Sequence, residues 1–232
     1  MNNNLLQIKI KQRLNKLASL DYDNLECWQI AEAFNKAQIT WTRRQLYGIN
    51  VRKEGSEISS GVMDDLQRLM KHESLLLAKD GIYYKGSLPS NYLHYVRTDV
   101  FAKKECCPER RVIVYEVEEA NISIILDDKN KQPDFEWGET VATIMSNELK
   151  VYTNEEFDIT KCHLIYYRKP REVQFNGCID ITTGTLFTVD QECEFNDDVA
   201  EIIVDEAVSI LAGDIESITQ YQREQQNVQT NS

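Results

Sequence analysis

The sequence predicts an α+β chain: a helical bundle made of N-terminal helices and one C-terminal helix, with an antiparallel β-sandwich or barrel module inserted between them. Three observations carry this reading. Apolar residues recur at helical spacing before residue 72 and again after residue 197. Between about 73 and 185 they fall in short runs that favour period two, punctuated by turn residues. The two ends also carry opposite charge: Lys9, Lys11, Arg13 and Lys16 stand without an acid in the first twenty residues, whereas residues 186–232 hold eleven acids against Arg223 alone. The expected organisation is 1–72 for the N-terminal helices, 73–185 for the β module, 186–217 for the returning acidic helix and 218–232 for a disordered tail.

Taken in order, Leu5, Ile8, Leu14, Leu17 and Leu20 predict an amphipathic helix over about Asn4 to Ser19. Asp23 with Glu26 three residues on has the form of a capping box. It introduces a longer helix whose stripe runs through Cys27, Ala31, Phe34, Gln38, Trp41 and Gln45, with Gly48 as the stop. An aromatic stripe at that spacing reads as core. The polar, Gly/Ser-containing stretch from Val51 to Gly61 reads as a loop, and Val62 to Met70 as a short helix.

From Ser74 the pattern changes. Lys79-Asp80-Gly81 between apolar runs predicts a hairpin, and Tyr92 to Phe101 and Arg111 to Val117 predict further strands. Ala120 to Leu126 fits strand or short helix equally. Val141 to Met145 and Leu149 to Thr153 flank a Ser-Asn-Glu turn, and Cys162 to Arg168 is an extended, apolar and aromatic run that Pro170 ends. That ending gathers Arg168, Lys169 and Arg171 at a strand end. Ile179 to Thr183 suggests an edge strand, and Phe195-Asn196-Asp197 caps a final helix whose stripe is Val199, Ile202, Ile203, Ala207, Ile210 and Leu211.

At 232 residues the chain is long enough to bury a core without staples. Its six cysteines show no Cys-x-x-Cys or zinc-type spacing and read as reduced, buried thiols. No charged-then-apolar leader opens the sequence, and no apolar run approaches the roughly 18 residues of a membrane span. The expectation is therefore folding in a reducing cytoplasm, with no membrane partner. A net charge of −12 disfavours tight nucleic-acid binding, which needs clustered cations.

No catalytic constellation emerges. His72, His94 and His163 lie in predicted regular structure without a second histidine at ligand spacing. Cys162 and His163 are adjacent on a strand, so their side chains point to opposite faces and do not form a nucleophile and base pair. Asp127, Asp128, Asn130 and Asp134 lack the glycine and terminal glutamate of a calcium loop. No phosphate-binding glycine loop is present, so no enzyme, metal or cofactor is expected. What remains is interaction chemistry, with the charged ends either packing together or facing neighbouring copies. The candidate interface residues are Lys9, Lys11, Arg13, Lys16, Arg43, Arg44, Arg52, Lys53, Arg168, Lys169 and Arg171, facing Asp197, Asp198, Glu201, Asp205 and Glu206. A second reading, a monomeric binding module for carbohydrate, rests on Tyr83, Tyr84, Tyr92, Tyr95 and Trp137 as an aromatic platform.

The order of several segments resembles a known family. These are the basic N-terminal helix, the Leu25-Glu-Cys-Trp-Gln-Ile helix, Leu88-Pro-Ser-Asn-Tyr-Leu93, Pro133-Asp-Phe-Glu-Trp137, Tyr166-Tyr-Arg-Lys-Pro170 and the Cys193-Glu-Phe to Ala207 segment. Together they resemble a structural protein of crAss-like tailed bacteriophages and, more broadly, the head-tail connector (adaptor) proteins. The resemblance implies a non-enzymatic virion protein of the neck. Such a protein forms a closed ring, commonly of twelve copies, that contacts the portal protein and further neck or tail rings. DNA passes through its channel without specific contacts.

Overall fold

The computed structural model of the protein describes residues 1–14, 25–47, 65–105, 107–214 and 226. In chain order its elements are α1 (Asn3–Leu14), α2 (Cys27–Tyr47), β1 (Met70–Leu75), β2 (Ala78–Asp80), β3 (Tyr83–Ser87), β4 (Tyr92–Lys103) and β5 (Arg110–Glu116). A 3-10 turn (Glu119–Asn121) and α3 (Ile122–Asp127) follow, then β6 (Glu139–Met145), β7 (Glu148–Tyr152), β8 (Asp158–Arg168) and α4 (Asp197–Asp214). The chain is α+β and forms two compact units. Unit 1 combines Met1–Arg68 with Pro170–Ser232, and unit 2 is Leu69–Lys169. The second boundary falls at Pro170, where the proline ends β8, rather than near residue 185. The expected features at Lys16, Leu17, Leu20, Asp23, Gly48, Val51 to Gly61 and the tail beyond Asp214 lie outside the described residues.

In unit 1, α4 lies against both α1 and α2. Helix α2 begins where Gln29 reaches back, its Oε1 accepting the Glu26 backbone N–H at 2.9 Å. This is half of a capping box one turn later than the sequence suggested. Ile30, Ala31, Phe34, Ala37, Gln38 and Trp41 are buried along one face, and the Trp41 ring meets Phe195 edge-on at 5.1 Å. The aromatic stripe is therefore core. In α1 the buried set is Asn3, Leu6, Ile10 and Leu14, while Leu5 and Ile8 are exposed. The face shifts because burying Leu6 and Ile10 also brings Lys9 and Arg13 beside the acids of α4, so apolar burial and ion pairing favour the same rotation.

Unit 2 is one eight-stranded sheet in the order β1-β8-β4-β5-β6-β7-β3-β2. The expected antiparallel pattern holds at six of its seven junctions, but β5 and β6 pair in parallel. The parallel pair follows from the connection, since the 3-10 turn and α3 between them carry the chain back to the starting end of β5. That settles Ala120 to Leu126 as helical.

The two edge strands, β1 and β2, are consecutive in sequence with only Leu76 and Leu77 between them. Three Cα steps span roughly 11 Å at most, so the sheet curls until its edges are close. Gly86 on β3 makes room for this connection: a Cβ there would lie 2.9 Å from the Leu76 carbonyl oxygen and 2.6 Å from Leu77 Cδ2. The run singled out in the sequence becomes β8, held between β1 and β4. It places Cys162, Leu164 and Tyr166 in the core with Val100, Leu149 and Val151, while His163, Ile165 and Tyr167 are half-buried on the other face. β1 was not anticipated, because the apolar spacing up to Met70 is helical and period two was read only from Ser74; it is an edge strand, where the alternating charges of Lys71 and Glu73 block further pairing.

Candidate interaction surface

Most of the expected interface charges find partners within their own unit. Glu201 of α4 pairs with both Lys9 and Arg13, and Arg13 also pairs with Asp205. Arg44 of α2 holds Glu206 at 2.9 Å. Glu206 is 6 % exposed, and one of its oxygens has no hydrogen-bond partner. Burial raises its pKa above the ordinary carboxylate value while the Arg44 guanidinium pulls it back. At the basic strand end, Arg171 donates its backbone N–H to Glu194 at 2.9 Å, and the Arg168 guanidinium donates to the Lys169 carbonyl at 3.1 Å. The complementary ends thus pack on each other, which was one of the two outcomes the sequence left open. Among the described residues the side chains of Lys11, Asp198 and Lys169 take no part in these pairs: Lys11 is half-buried, and Asp198 and Lys169 are exposed. Lys16, Arg52 and Lys53 fall outside the described residues.

The chain between unit 2 and α4 forms a surface that the periodicity did not predict. Two asparagines hold it in place. Asn35 of α2 clamps Val173 like a strand partner, donating to its carbonyl at 3.1 Å and accepting its N–H at 2.7 Å. Asn3 of α1 donates to the Gln174 carbonyl at 2.8 Å and to Asp190 at 2.9 Å. Beyond these anchors a short hairpin projects, closed by Phe187 N–H to Cys178 O at 2.9 Å and Asp180 N–H to Thr185 O at 2.8 Å. Asp180 organises its tip by accepting from Thr183 Oγ1 at 2.7 Å and Thr182 N–H at 2.8 Å, and these bonds lower its pKa. The expected edge strand at Ile179 to Thr183 is this hairpin, bridged only at Ile179 and Leu186.

The hairpin leaves Ile179, Ile181, Leu186 and Val189 exposed, at 47, 56, 60 and 71 %. Between it and α2 runs an open groove of about 570 Å³, with Trp28, Ile39, Ile181 and Phe187 among its apolar walls and Lys36 and Arg43 along one rim. Neither cation has an ion-pair partner among the described residues. A signal for this surface existed: Ile179-Asp-Ile-Thr-Thr-Gly184 combines exposed-turn chemistry with two isoleucines that no stripe explains. Cys178, at the hairpin base, is disulfide-bonded to Cys27 at the start of α2. That corrects the expectation that all cysteines are reduced thiols. Side-chain hydrogen bonds explain it: Asn35 of α2 holds Val173 and Asn3 of α1 holds Gln174, so two cysteines distant in sequence become neighbours.

Unit 2 offers less. Cys162 faces the core, where burial pushes its thiol up to about 12, and His163 on the opposite face meets Ser74 at 2.9 Å. The rings of His72 and His163 lie 5.0 Å apart across β1 and β8, a proximity only pairing register reveals. Among the described residues no group of three metal-ligating side chains converges. Lys150 on β7 is held at 2.9 Å by Glu119 of the 3-10 turn, which pins the β5–β6 crossover against the sheet. The five aromatics do not form a platform: Tyr84 is buried, Tyr92 and Tyr95 pack against the core, and only Trp137 stands clear at 80 % exposure. No described helix is long and apolar enough to cross a membrane. Compared with known proteins, the chain matches no family model and no curated protein sequence.

Proposed function

We propose that this protein is a non-enzymatic structural subunit of a tailed-phage particle, assembled in the bacterial cytoplasm and working in a closed ring of copies between portal and tail. The observation that carries the reading is the hairpin of residues 178–187. It holds several aliphatic side chains in solvent beside a groove with apolar walls and two cations that have no ion-pair partner among the described residues, a surface that a lone chain leaves uncovered. Ring subunits meet through two different faces, and the face on which the hairpin walls the groove suits one of them, docking against another surface of the next copy. The family resemblance supplies the phage neck as the setting. Because Lys9, Arg13, Glu201 and Asp205 are paired within the chain, the contact between copies is assigned to the hairpin and groove rather than to the charged ends. A net charge of −12 fits a channel along which DNA slides without adhering.

Light scattering and negative-stain imaging of the purified chain, alone and with portal rings, test this. The expected result is a ring of uniform copy number, lost in I179D/I181D while circular dichroism stays unchanged. A chain that is monomeric in both settings and absent from purified particles refutes the proposal.

A further inference from the structure

Unit 1 is built from two stretches of chain, 1–68 and 170–232, with all of unit 2 between them in sequence. One covalent link joins the stretches directly. Cys27 and Cys178 are bonded across a sequence separation of 151, with Cα atoms 5.9 Å apart. That Cα spacing lies within the usual range for a disulfide. The other buried thiols differ. Burial raises Cys162 to about 12 and raises Cys193 as well, which leaves both unreactive. Cys27 is half-buried at the first residue of a 21-residue helix, where the positive helix end favours a thiolate, whereas Cys178 is 2 % exposed.

We propose that Cys27 and Cys178 are an oxidant-operated clasp: thiols in a reducing compartment, cross-linked by exchange with a small-molecule disulfide such as oxidised glutathione. The Cys27 thiolate attacks one sulfur of glutathione disulfide, forming a mixed disulfide and releasing a glutathione thiolate. Cys178 gives its proton to solvent, its sulfur attacks the Cys27 sulfur, and a second glutathione thiolate leaves. Two protein thiols are oxidised and one glutathione disulfide is reduced to two glutathione molecules. The closed clasp ties the base of the hairpin to the start of α2 and fixes one end of the groove between them. It also closes a very long loop, which restricts the unfolded chain strongly. The inference stands independently of the ring assembly.

The full-length chain, purified under reductant, is equilibrated in glutathione buffers of graded redox ratio. Intact mass, peptide mapping and thermal melting are then read. The expected result is the loss of two hydrogens, mapped to Cys27 and Cys178, with a rise in melting midpoint on the order of 10 °C. Cys178→Ser should retain one glutathionyl group on Cys27, while Cys27→Ser should leave Cys178 unmodified. The wild-type titration needs neither variant to fold. An unchanged thiol count across all buffers, a cross-link without any rise in midpoint, or equally ready modification of Cys178 in Cys27→Ser overturns the proposal.

Discussion

Replacing Arg44 with methionine should strand a buried charge. Glu206 is 6 % exposed, and Arg44 Nη2, at 2.9 Å, is the ion-pair partner that offsets its burial. Removing one member of a buried pair costs about 3–5 kcal/mol at neutral pH, because the remaining ion keeps its desolvation penalty. The dependence on pH has a definite sign. Glu206 already has a folded pKa above the ordinary carboxylate value, so the folded chain holds this proton more tightly than the unfolded chain does. Its contribution to stability therefore falls as pH rises from the ordinary value through the folded one. Without Arg44 the folded pKa rises further, and the difference between R44M and wild type should widen above about pH 5 and shrink below about pH 4, where both states carry the proton. The pairs of Lys9 and Arg13 with α4 are common to both proteins and cancel in the difference. Urea unfolding at intervals from about pH 4 to 8 measures this. R44M/E206L should recover most of the loss, since an apolar pair replaces an ionic one at little cost. A loss below about 1 kcal/mol at neutral pH, or an equal loss across the range, would show that Arg44 acts through its aliphatic packing alone.

Two further outcomes probe unit 2. Gly86→Ala places a Cβ 2.9 Å from the Leu76 carbonyl oxygen and should destabilise the sheet by about 1–3 kcal/mol through overpacking; an unchanged thermal midpoint would mean that the Leu76–Leu77 connection yields freely. The Tyr166 hydroxyl donates to Glu73 at 2.9 Å and lies 2.9 Å from Asn91, and burial is the main cause lifting its pKa to about 12. Its raised value means that stability falls as pH climbs from the ordinary tyrosine value towards 12. Tyr166→Phe should flatten that alkaline loss while lowering neutral stability by about 1–2 kcal/mol, and an identical alkaline transition in the variant would contradict the assignment.

Several elements were legible because a local pattern and its tertiary partner agree. The Lys79-Asp80-Gly81 turn becomes a hairpin with Gly81 at φ +61°, and Ser146 and Asn147, both at positive φ, close the β6–β7 hairpin. The alternation at Cys162 and His163 separated the two side chains correctly, with Cys162 in the core and His163 half-buried on the other face. The candidate surface was less accessible. The hairpin at 178–187 depends on Asn35 and Asn3 clamping distant backbone, and side-chain hydrogen bonds across more than 130 residues leave no period in the sequence.

By itself, the sequence determined the α+β class, the stop at Pro170, the core character of the Phe34 and Trp41 stripe, and the charge complementarity of the two ends. These follow from spacing, backbone sterics and Coulomb attraction, all readable from nearby residues. Only the tertiary structure decided that the charged ends pair within the chain, that β5 and β6 run parallel, that Leu76 and Leu77 bring the sheet edges together, and that Cys27 meets Cys178. Each of these depends on which of several locally equivalent partners ends up close in space. That choice is made by the packing of the whole unit, not by any one segment.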